Sequence, residues 1–389
     1  MNFELIEDEP LSTVIKVIGV GGAGGNAVDH MIRKNVQGVE FIAANTDAQA
    51  LGRNLAPIKL QLGKSGLGAG AKPDAGKTAA LEERERIIEA LQGANMVFIT
   101  AGMGGGTGTG AAPVVAEVAR EMGILTVAVV TKPFTFEGKR AKIAEAGLAE
   151  LEKNVDSLIV ILNEKLMEVL GDDVSMDEAF QAADNVLRNA VGGIAEIINF
   201  PGLVNVDFED VRTVMGVMGM AMMGTAAASG FDRARLAAEQ AATSKLLEGQ
   251  SLAGARGVVV NITASRSLKM KEVNEVMATV EEQVDADATV IFGAVFDESM
   301  GDEIRVTVVA TGLGERKEAR MPQPQQLTVV AARTGTDDVP FIAGASDDYS
   351  QYDQPAVFRN SRSSARVEAM MSSGMDRLEI PAFLRKQAD

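Results

Sequence analysis

The chain has 389 residues, enough for two domains, with no cysteine, one histidine and a formal net charge of −17. The lack of cysteine excludes disulfides and thiolate catalysis, and the single histidine, His30, gives no basis for a catalytic triad or a multi-histidine metal site. The negative charge and the acidic start MNFELIEDEP predict a cytoplasmic protein that binds no nucleic acid and does not insert into a membrane.

After a tail predicted to be disordered (1–12), strands and helices alternate over a first domain, 13–174. Alternation of this kind predicts a parallel sheet of Rossmann-like topology, with a ligand crevice at the carboxyl ends of its strands. The predicted strands cover 14–20, 39–47, 95–100, 125–133 and 157–163, and the predicted helices cover 26–34, 78–91, 111–123 and 138–153.

Two glycine-rich stretches each lie between a predicted strand and a predicted helix. The first is GVGGAGG (19–25), and the second is AGMGGGTGTG (101–110), which has six glycines in the nine positions 102–110. Ordering those six glycines costs about 3–6 kcal/mol of backbone entropy, which a bound ligand would offset. Backbone N–H groups at a helix N-terminus form an anion site, so we interpret the second stretch as a phosphate loop, with a structural turn as the alternative.

The first stretch also fits a different class of protein. Gly19, Gly21 and Gly24 form GxGxxG, and Asp47 ends the next strand where a dinucleotide fold places its ribose-binding acid. This pattern alone predicts an NAD-dependent oxidoreductase, which remains the alternative. Two glycine loops on different strands favour a triphosphate held from both sides.

The stretch AKPDAGKT (71–78) resembles Walker A but has Ala71 where that motif has glycine, and it follows a loop instead of a strand. We therefore do not interpret it as a phosphate-binding loop.

Residues 175–200 are predicted to form one long amphipathic core helix that opens with a capping box, Ser175 and Glu178. At 1.5 Å per residue it spans about 35 Å, so its two ends lie on opposite sides of the molecule. The uncharged segment 213–231 has the length of a membrane span, but its Gly, Ala, Met and Thr content predicts a buried strand and its approaches.

A smaller α+β domain is predicted over 201–315, followed by a disordered linker over 316–375 and a tail over 376–389. Its predicted helices cover 233–247 and 268–284, and its predicted strands cover 257–264, 289–296 and 303–312. Apolar side chains on an otherwise polar tail indicate a docking motif, with a chance cluster as the alternative. These tail residues are Leu378, Ile380, Pro381, Phe383 and Leu384.

GGGTGTG (104–110) is the signature of the tubulin and FtsZ superfamily, and further segments resemble the FtsZ family of bacterial cell-division GTPases over nearly the whole chain except the linker. The resemblance implies GTP and GDP as ligands, a head-to-tail homopolymer at the mid-cell division site, and a tail that binds division proteins, including membrane tethers. These segments are GVGGAGGNAV (19–28), NTDAQAL (45–51), FEGKR (136–140), NVDFEDVRTVM (205–215) and IPAFLRKQAD (380–389).

The resemblance also assigns nucleotide contacts residue by residue. Ala71 would lie near the γ-phosphate, Glu137 at the ribose and Asn163 on the guanine side. The family's usual arginine position is Ala141 here, and Arg140 precedes it. The remaining contacts, which lie in the two glycine stretches and at the end of the second strand, are Gly21, Gly22, Ala23, Gly24, Gly25, Asn26, Asp47, Gly104, Gly105, Gly106, Thr107, Gly108, Thr109 and Gly110.

Two residues of the core helix are expected to read the base. Phe180, which periodicity alone would make a core residue, would stack on guanine, and Asp184 lies one turn later on the same face. Its carboxylate would accept from guanine N1–H and N2–H. Adenine would leave this acceptor unpaired, which can discriminate by up to ~10⁴ and selects GTP over ATP.

The last predicted site is the stretch NVDFED (205–210), with Asn205, Asp207 and Asp210. Spacing alone makes these residues a helix cap. They follow the far end of the core helix, about 30 Å from the nucleotide. In the family this loop closes on the GTP of the next subunit, where its acids polarise the attacking water and help to hold a cation. Mg²⁺ is implied by the triphosphate. A filament that does not hydrolyse GTP is a further alternative.

Overall fold

The computed structural model describes residues 13–171, 173–199, 204, 206–244, 252 and 254–313. Four of the sequence predictions fall on residues outside this set: the N-terminal tail 1–12, the site residue Asn205, the linker 316–375 and the docking tail 376–389.

The first half of the described chain forms a parallel sheet, as the alternation predicts. Its strands have the spatial order β3-β2-β1-β4-β5-β6, and every neighbouring pair is parallel. Apolar residues fill most of these strands because helices cover both faces of the sheet. The strands are β1 Ile15–Val20, β2 Glu40–Asn45, β3 Ile58–Gln61, β4 Met96–Gly102, β5 Leu125–Lys132 and β6 Ser157–Leu162.

Helices α1 and α8 (Met176–Asn199) pack on one face of this sheet, and α3 to α6 pack on the other. The bounds in this half are α1 Gly21–Arg33, α2 Ala48–Arg53, α3 Pro73–Glu82, α4 Arg84–Leu91, α5 Thr107–Glu121, α6 Arg140–Leu151 and α7 Asn163–Leu170. The predicted helix 78–91 is therefore two helices, and α2, β3 and α7 were not predicted.

The long core helix is confirmed as α8, Met176–Asn199. Its predicted capping box is present: the Glu178 backbone N–H donates to the Ser175 hydroxyl at 3.2 Å, and the Ser175 N–H donates to the Glu178 carboxylate at 3.0 Å. His30 of α1 anchors this helix, with Nε2 2.8 Å from the Asn185 side-chain oxygen.

The second half continues the same sheet, in the order β6-β7-β10-β8-β9. Only three residue pairs join β6 to β7, and β10 runs antiparallel to both of its neighbours. The strand predicted within 213–231 is β7, but only its residues 221–224 are buried. No helix in the described part of the chain is both long and apolar enough to cross a membrane. The elements are α9 Phe208–Met215, β7 Gly219–Ser229, α10 Arg233–Ala242, β8 Gly257–Ala264, α11 Met270–Glu281, β9 Thr289–Phe296 and β10 Glu303–Leu313.

Candidate nucleotide site

The two glycine stretches meet at the carboxyl ends of β1 and β4, which are neighbours in the sheet. Both stretches enter a helix earlier than predicted: α1 begins at Gly21 instead of residue 26, and α5 begins at Thr107 instead of residue 111. A Cβ placed on Gly21 would lie 2.9 Å from the Gly108 backbone nitrogen. Two helix N-termini, each with free N–H groups and a positive dipole end, therefore converge on one place.

The early helix starts have a steric cause. A Cβ on Gly24 would lie 2.3 Å from the Thr100 carbonyl oxygen, and one on Gly108 would lie 2.5 Å from the Gly102 carbonyl oxygen. Only glycine lets these helical turns approach the neighbouring backbone so closely, so here glycine permits a helix where the sequence indicates a loop.

Gly22 and Gly105 differ from their neighbours. Apart from the adjacent residues and the local helix backbone, no atom of the described residues lies within 4 Å of the position that a Cβ would take on either glycine, and neither has a positive φ. Internal packing therefore does not require glycine at these positions. Open space beside two helix N-termini is the space that a phosphate chain would occupy.

A third loop, residues 63–72, lies against the second glycine stretch. A Cβ on Gly106 would lie 2.3 Å from the Gly70 carbonyl oxygen, which places the neighbouring Ala71 beside the same edge. Asp47, which the dinucleotide interpretation assigns to a ribose, caps α2 instead: its Oδ1 accepts from the N–H groups of Gln49 at 2.8 Å and Ala50 at 3.1 Å. A cavity of about 210 Å³ beside α1 is lined by Gly21, Gly22, Gly25, Asn26 and Asp47, among others.

The two threonines of the second stretch have different surroundings. Thr109 is buried, and its hydroxyl accepts from the Gly104 N–H at 2.8 Å, so it braces the loop from within. The Thr107 hydroxyl oxygen lies 2.6 Å from that of Thr46, at the end of β2. Thr107 is partly exposed at the first position of α5, so of the two hydroxyls it is the one placed to meet a phosphate.

The predicted ribose residues follow β5. Glu137 accepts from the Phe134 N–H at 3.1 Å and pairs with Arg140, whose Nη1 lies 2.7 Å from Oε2. A Cβ on Gly104 would lie 2.9 Å from the Arg140 carbonyl oxygen. Arg140 therefore starts α6 directly beside the second glycine stretch, although its guanidinium is turned towards Glu137.

The predicted base residues are Asn163, Phe180 and Asp184, and one of them has a buried polar atom without a partner. Asn163 is buried at the first position of α7, and its Oδ1 has no hydrogen-bond partner in the described structure. Such a group costs free energy unless a ligand satisfies it. Phe180 is 43% exposed and makes an edge contact with buried Phe134, with ring centroids 5.5 Å apart. Burial raises the pKa of Asp184, one turn beyond Phe180, to about 6.

The predicted acidic residues lie on the side of the sheet where its parallel strands begin, opposite the carboxyl ends that hold the glycine loops. The Ser157 hydroxyl, at the start of β6, donates to the carbonyl at the end of α9, Met215, at 2.6 Å. Asn199, at the end of α8, donates to the Gly38 carbonyl ahead of β2, also at 2.6 Å. Asp207 caps α9 by accepting from the Asp210 N–H at 2.8 Å, and both carboxylates are exposed. They therefore cannot reach the glycine loops of their own subunit.

The parallel sheet, with helix N-termini and a partnerless buried amide at the carboxyl ends of its strands, defines a nucleotide-binding protein. Comparison with known families shows which family of nucleotide-binding proteins this is. The model of the Tubulin/FtsZ family, GTPase domain, matches residues 14–171, and that of the FtsZ family, C-terminal domain, matches residues 219–314.

Whole-chain comparisons agree. The chain is 54% identical over 397 residues to the cell division protein FtsZ of Pseudomonas putida and 55% identical to that of Pseudomonas aeruginosa, covering 100% of each chain. A solved FtsZ dimer of M. jannaschii superposes with a TM-score of 0.75 at 45% identity, over 78% of this chain and 90% of that one. The chain belongs to the FtsZ family. The oxidoreductase alternative is not supported, because the matched family is that of a GTPase.

The sequence analysis missed two residues of the candidate nucleotide site. Thr46 contacts Thr107, and Phe134 packs on Phe180. Thr46 falls within the matching stretch NTDAQAL and directly follows a strand, which is a signal for a site residue in a parallel sheet. Phe134 had no comparable signal, because an isolated phenylalanine after a strand is most often part of the core.

Proposed function

We propose that this protein binds GTP at the glycine loops, assembles head to tail into a filament, and hydrolyses GTP only where two subunits meet. The filament forms the cytokinetic ring at mid-cell, in the cytoplasm. One observation supports this most strongly. The glycine loops lie at the carboxyl ends of the parallel strands, and the exposed acids Asp207 and Asp210 lie on the side where those strands begin. A contact between these unlike ends is heterologous, and a heterologous contact whose rotation does not close builds a filament.

Within one subunit, residues 13–174 and the first turns of the core helix α8 hold the nucleotide. The N-termini of α1 and α5 take the phosphates, and the Gly22 and Gly105 positions leave room for them. Glu137 contacts the ribose, and Arg140 stands near enough to the loops to turn to a phosphate. Phe180 stacks on the base, while Asn163 and Asp184 pair with the guanine edge.

Hydrolysis uses the next subunit, whose residues 201–315 provide the activating half. Asp207 and Asp210 are exposed and carry negative charge, so they can orient a water molecule towards the γ-phosphorus and accept its proton. The new bond joins the water oxygen to phosphorus, the bond to the β–γ bridging oxygen breaks, and GDP and phosphate result. Asn205, which lies outside the described residues, belongs to the same stretch.

Mg²⁺ fits this site only as an ion held mainly by phosphates. Among the described residues there is no group of three His, Asp or Glu side chains that could hold a metal. Mg²⁺ commonly keeps several waters and uses one or two protein oxygens beside nucleotide phosphates. When bound, it neutralises phosphate charge. The hydroxyl of Thr107 and the carboxylate of Asp47 are among the protein oxygens near the glycine loops.

The tail over 376–389 recruits division proteins, including membrane tethers. Its apolar residues Leu378, Ile380, Phe383 and Leu384 surround Pro381 in an otherwise polar segment, which is typical of a short docking motif.

Catalysis across a junction is tested by mixing two inactive variants. Asp210→Asn keeps its nucleotide pocket, and Gly105→Ser places a side chain in the open phosphate space while keeping Asp210. In a randomly mixed filament about a quarter of junctions join an intact pocket to an intact acid. The mixture should therefore regain about a quarter of the wild-type phosphate release, above the sum of the two variants alone.

The choice of Gly105 follows from the structure. Gly108→Ser would press its Cβ against the Gly102 carbonyl and distort the loop itself. Glu209→Gln, on the same exposed turn as Asp210, is the matched control and should keep hydrolysis. Sedimentation with GTP, GDP and ATP establishes first that both variants join filaments. A co-assembled mixture as inactive as its parts would place both halves of the site in one subunit and refute the mechanism.

A further inference from the structure

Thr46 is a buried residue at the nucleotide edge to which the proposed mechanism gives no role. It directly follows β2 and precedes Asp47, and the residue is 3% exposed. Its hydroxyl oxygen lies 2.6 Å from that of Thr107, the first residue of α5. In the described part of the chain, neither hydroxyl has another hydrogen-bond partner.

A hydroxyl has one hydrogen to donate, so only one of these two residues donates to the other. Phosphate oxygens of a bound nucleotide mainly accept hydrogen bonds. If Thr107 gave its hydrogen to Thr46, it would have none left for a phosphate. We propose that Thr46 is a positioning residue: it donates to Thr107 and so leaves the Thr107 hydrogen directed at the β- and γ-phosphates.

The position of Thr46 is fixed from two sides. Its carbonyl accepts from the Gly68 N–H at 3.1 Å, and Asp47 forms a bridge with Leu67, so the loop 63–72 is tied to the end of β2. Threonine is also stiff at χ1 because its Cβ is branched. The hydroxyl is therefore held in place, and a chain of hydroxyls donating in one direction strengthens its last hydrogen bond.

The inference rests on the proposed function, because it needs a phosphate at Thr107. Thr46→Val keeps the shape of the side chain and removes the donor, whereas Thr46→Ser keeps the donor. We expect Thr46→Val to weaken GDP and magnesium-free GTP about tenfold, and Thr46→Ser to stay within about twofold of wild type. GMP lacks the β- and γ-phosphates, so its affinity should be the same for all three proteins.

A double-mutant cycle separates this role from a structural one. In a Thr107→Ala background, Thr46→Val should cost no further GDP affinity, because the donor no longer has a hydroxyl to orient. Calorimetric titration gives the affinities, and melting of the nucleotide-free proteins checks that all variants fold. An equal loss in both backgrounds, an equal loss for GMP, or no loss at all would overturn the assignment. A wild-type protein that binds no guanine nucleotide would instead overturn the proposed function, and this inference with it.

Discussion

Asp184 gives the sharpest prediction, because with its raised pKa the proposed base recognition should depend on pH. Burial raises that pKa from 3.8 to about 6, and no hydrogen-bond partner of the carboxyl is found among the described residues. Guanine N1–H and N2–H both donate, so they need the ionised acid as acceptor. We therefore expect protonation of Asp184 to compete with guanine binding.

The size of the effect follows from the ionised fraction. With a pKa of about 6, roughly 9% of Asp184 is ionised at pH 5, and the apparent Kd for GDP rises about elevenfold relative to pH 7.5 or above. A carboxyl with a pKa of 3.8 would change the Kd by less than about 10% over that range. The two cases are easily separated by calorimetric titration of GDP at pH 5, 6, 7 and 8.

The nucleotide's own terminal phosphate also titrates near pH 6, so a baseline is needed. Asp184→Asn should bind GDP more weakly throughout and show only that baseline. Asp177→Asn, on the exposed first turn of the same helix, should keep the wild-type profile. If wild type and Asp184→Asn share one pH profile, Asp184 does not read the base. Asp184→Ala should also weaken GTP more than any residual ATP binding, and equal losses would contradict base readout.

The same raised pKa has a consequence for stability. A carboxyl whose folded pKa exceeds its unfolded value destabilises the fold once it ionises, and the penalty is complete above the folded pKa. Asp184→Asn should therefore raise the melting temperature of the nucleotide-free protein at pH 7.5, and the gain should shrink as the pH falls from 6 towards 4. A gain that is constant with pH would point to a cause other than ionisation.

Three further predictions use other parts of the chain. Gly105→Ala should melt at the wild-type temperature but bind GDP more weakly. Gly108→Ala should lose about 1–3 kcal/mol of folding stability, because its Cβ would press against the Gly102 carbonyl. Equal melting temperatures of the two variants would contradict the steric argument. Deleting 376–389 should leave GTP hydrolysis and sedimentation intact and abolish capture by membrane-tethering division proteins; loss of assembly would refute the docking role. Both tyrosines lie beyond residue 345 and there is no tryptophan, so a protein ending at Gly314 should absorb almost nothing at 280 nm, and a strong band there would indicate bound nucleotide or contamination.

Much of the fold follows from the sequence because its signals are local. Apolar runs such as that of β4 mark strands buried on both faces, and the single stripe of α8 with its Ser175 cap marks one long helix. The short elements α2, β3 and α7 were missed because four to eight residues carry too little periodicity.

The candidate site, like the fold, was predicted from the sequence only in part. The sequence by itself predicts a phosphate site at the glycine-rich stretches that follow strands, and the family resemblance adds the prediction that Phe180 and Asp184 bind a base. Only the tertiary structure decided that α1 starts at Gly21, that Asn163 keeps a partnerless oxygen, and that Thr46 meets Thr107. The tertiary structure also decided that Asp207 and Asp210 lie at the amino ends of the parallel strands, opposite the glycine loops. Each of these depends on contacts between residues far apart in the chain, which local patterns do not encode.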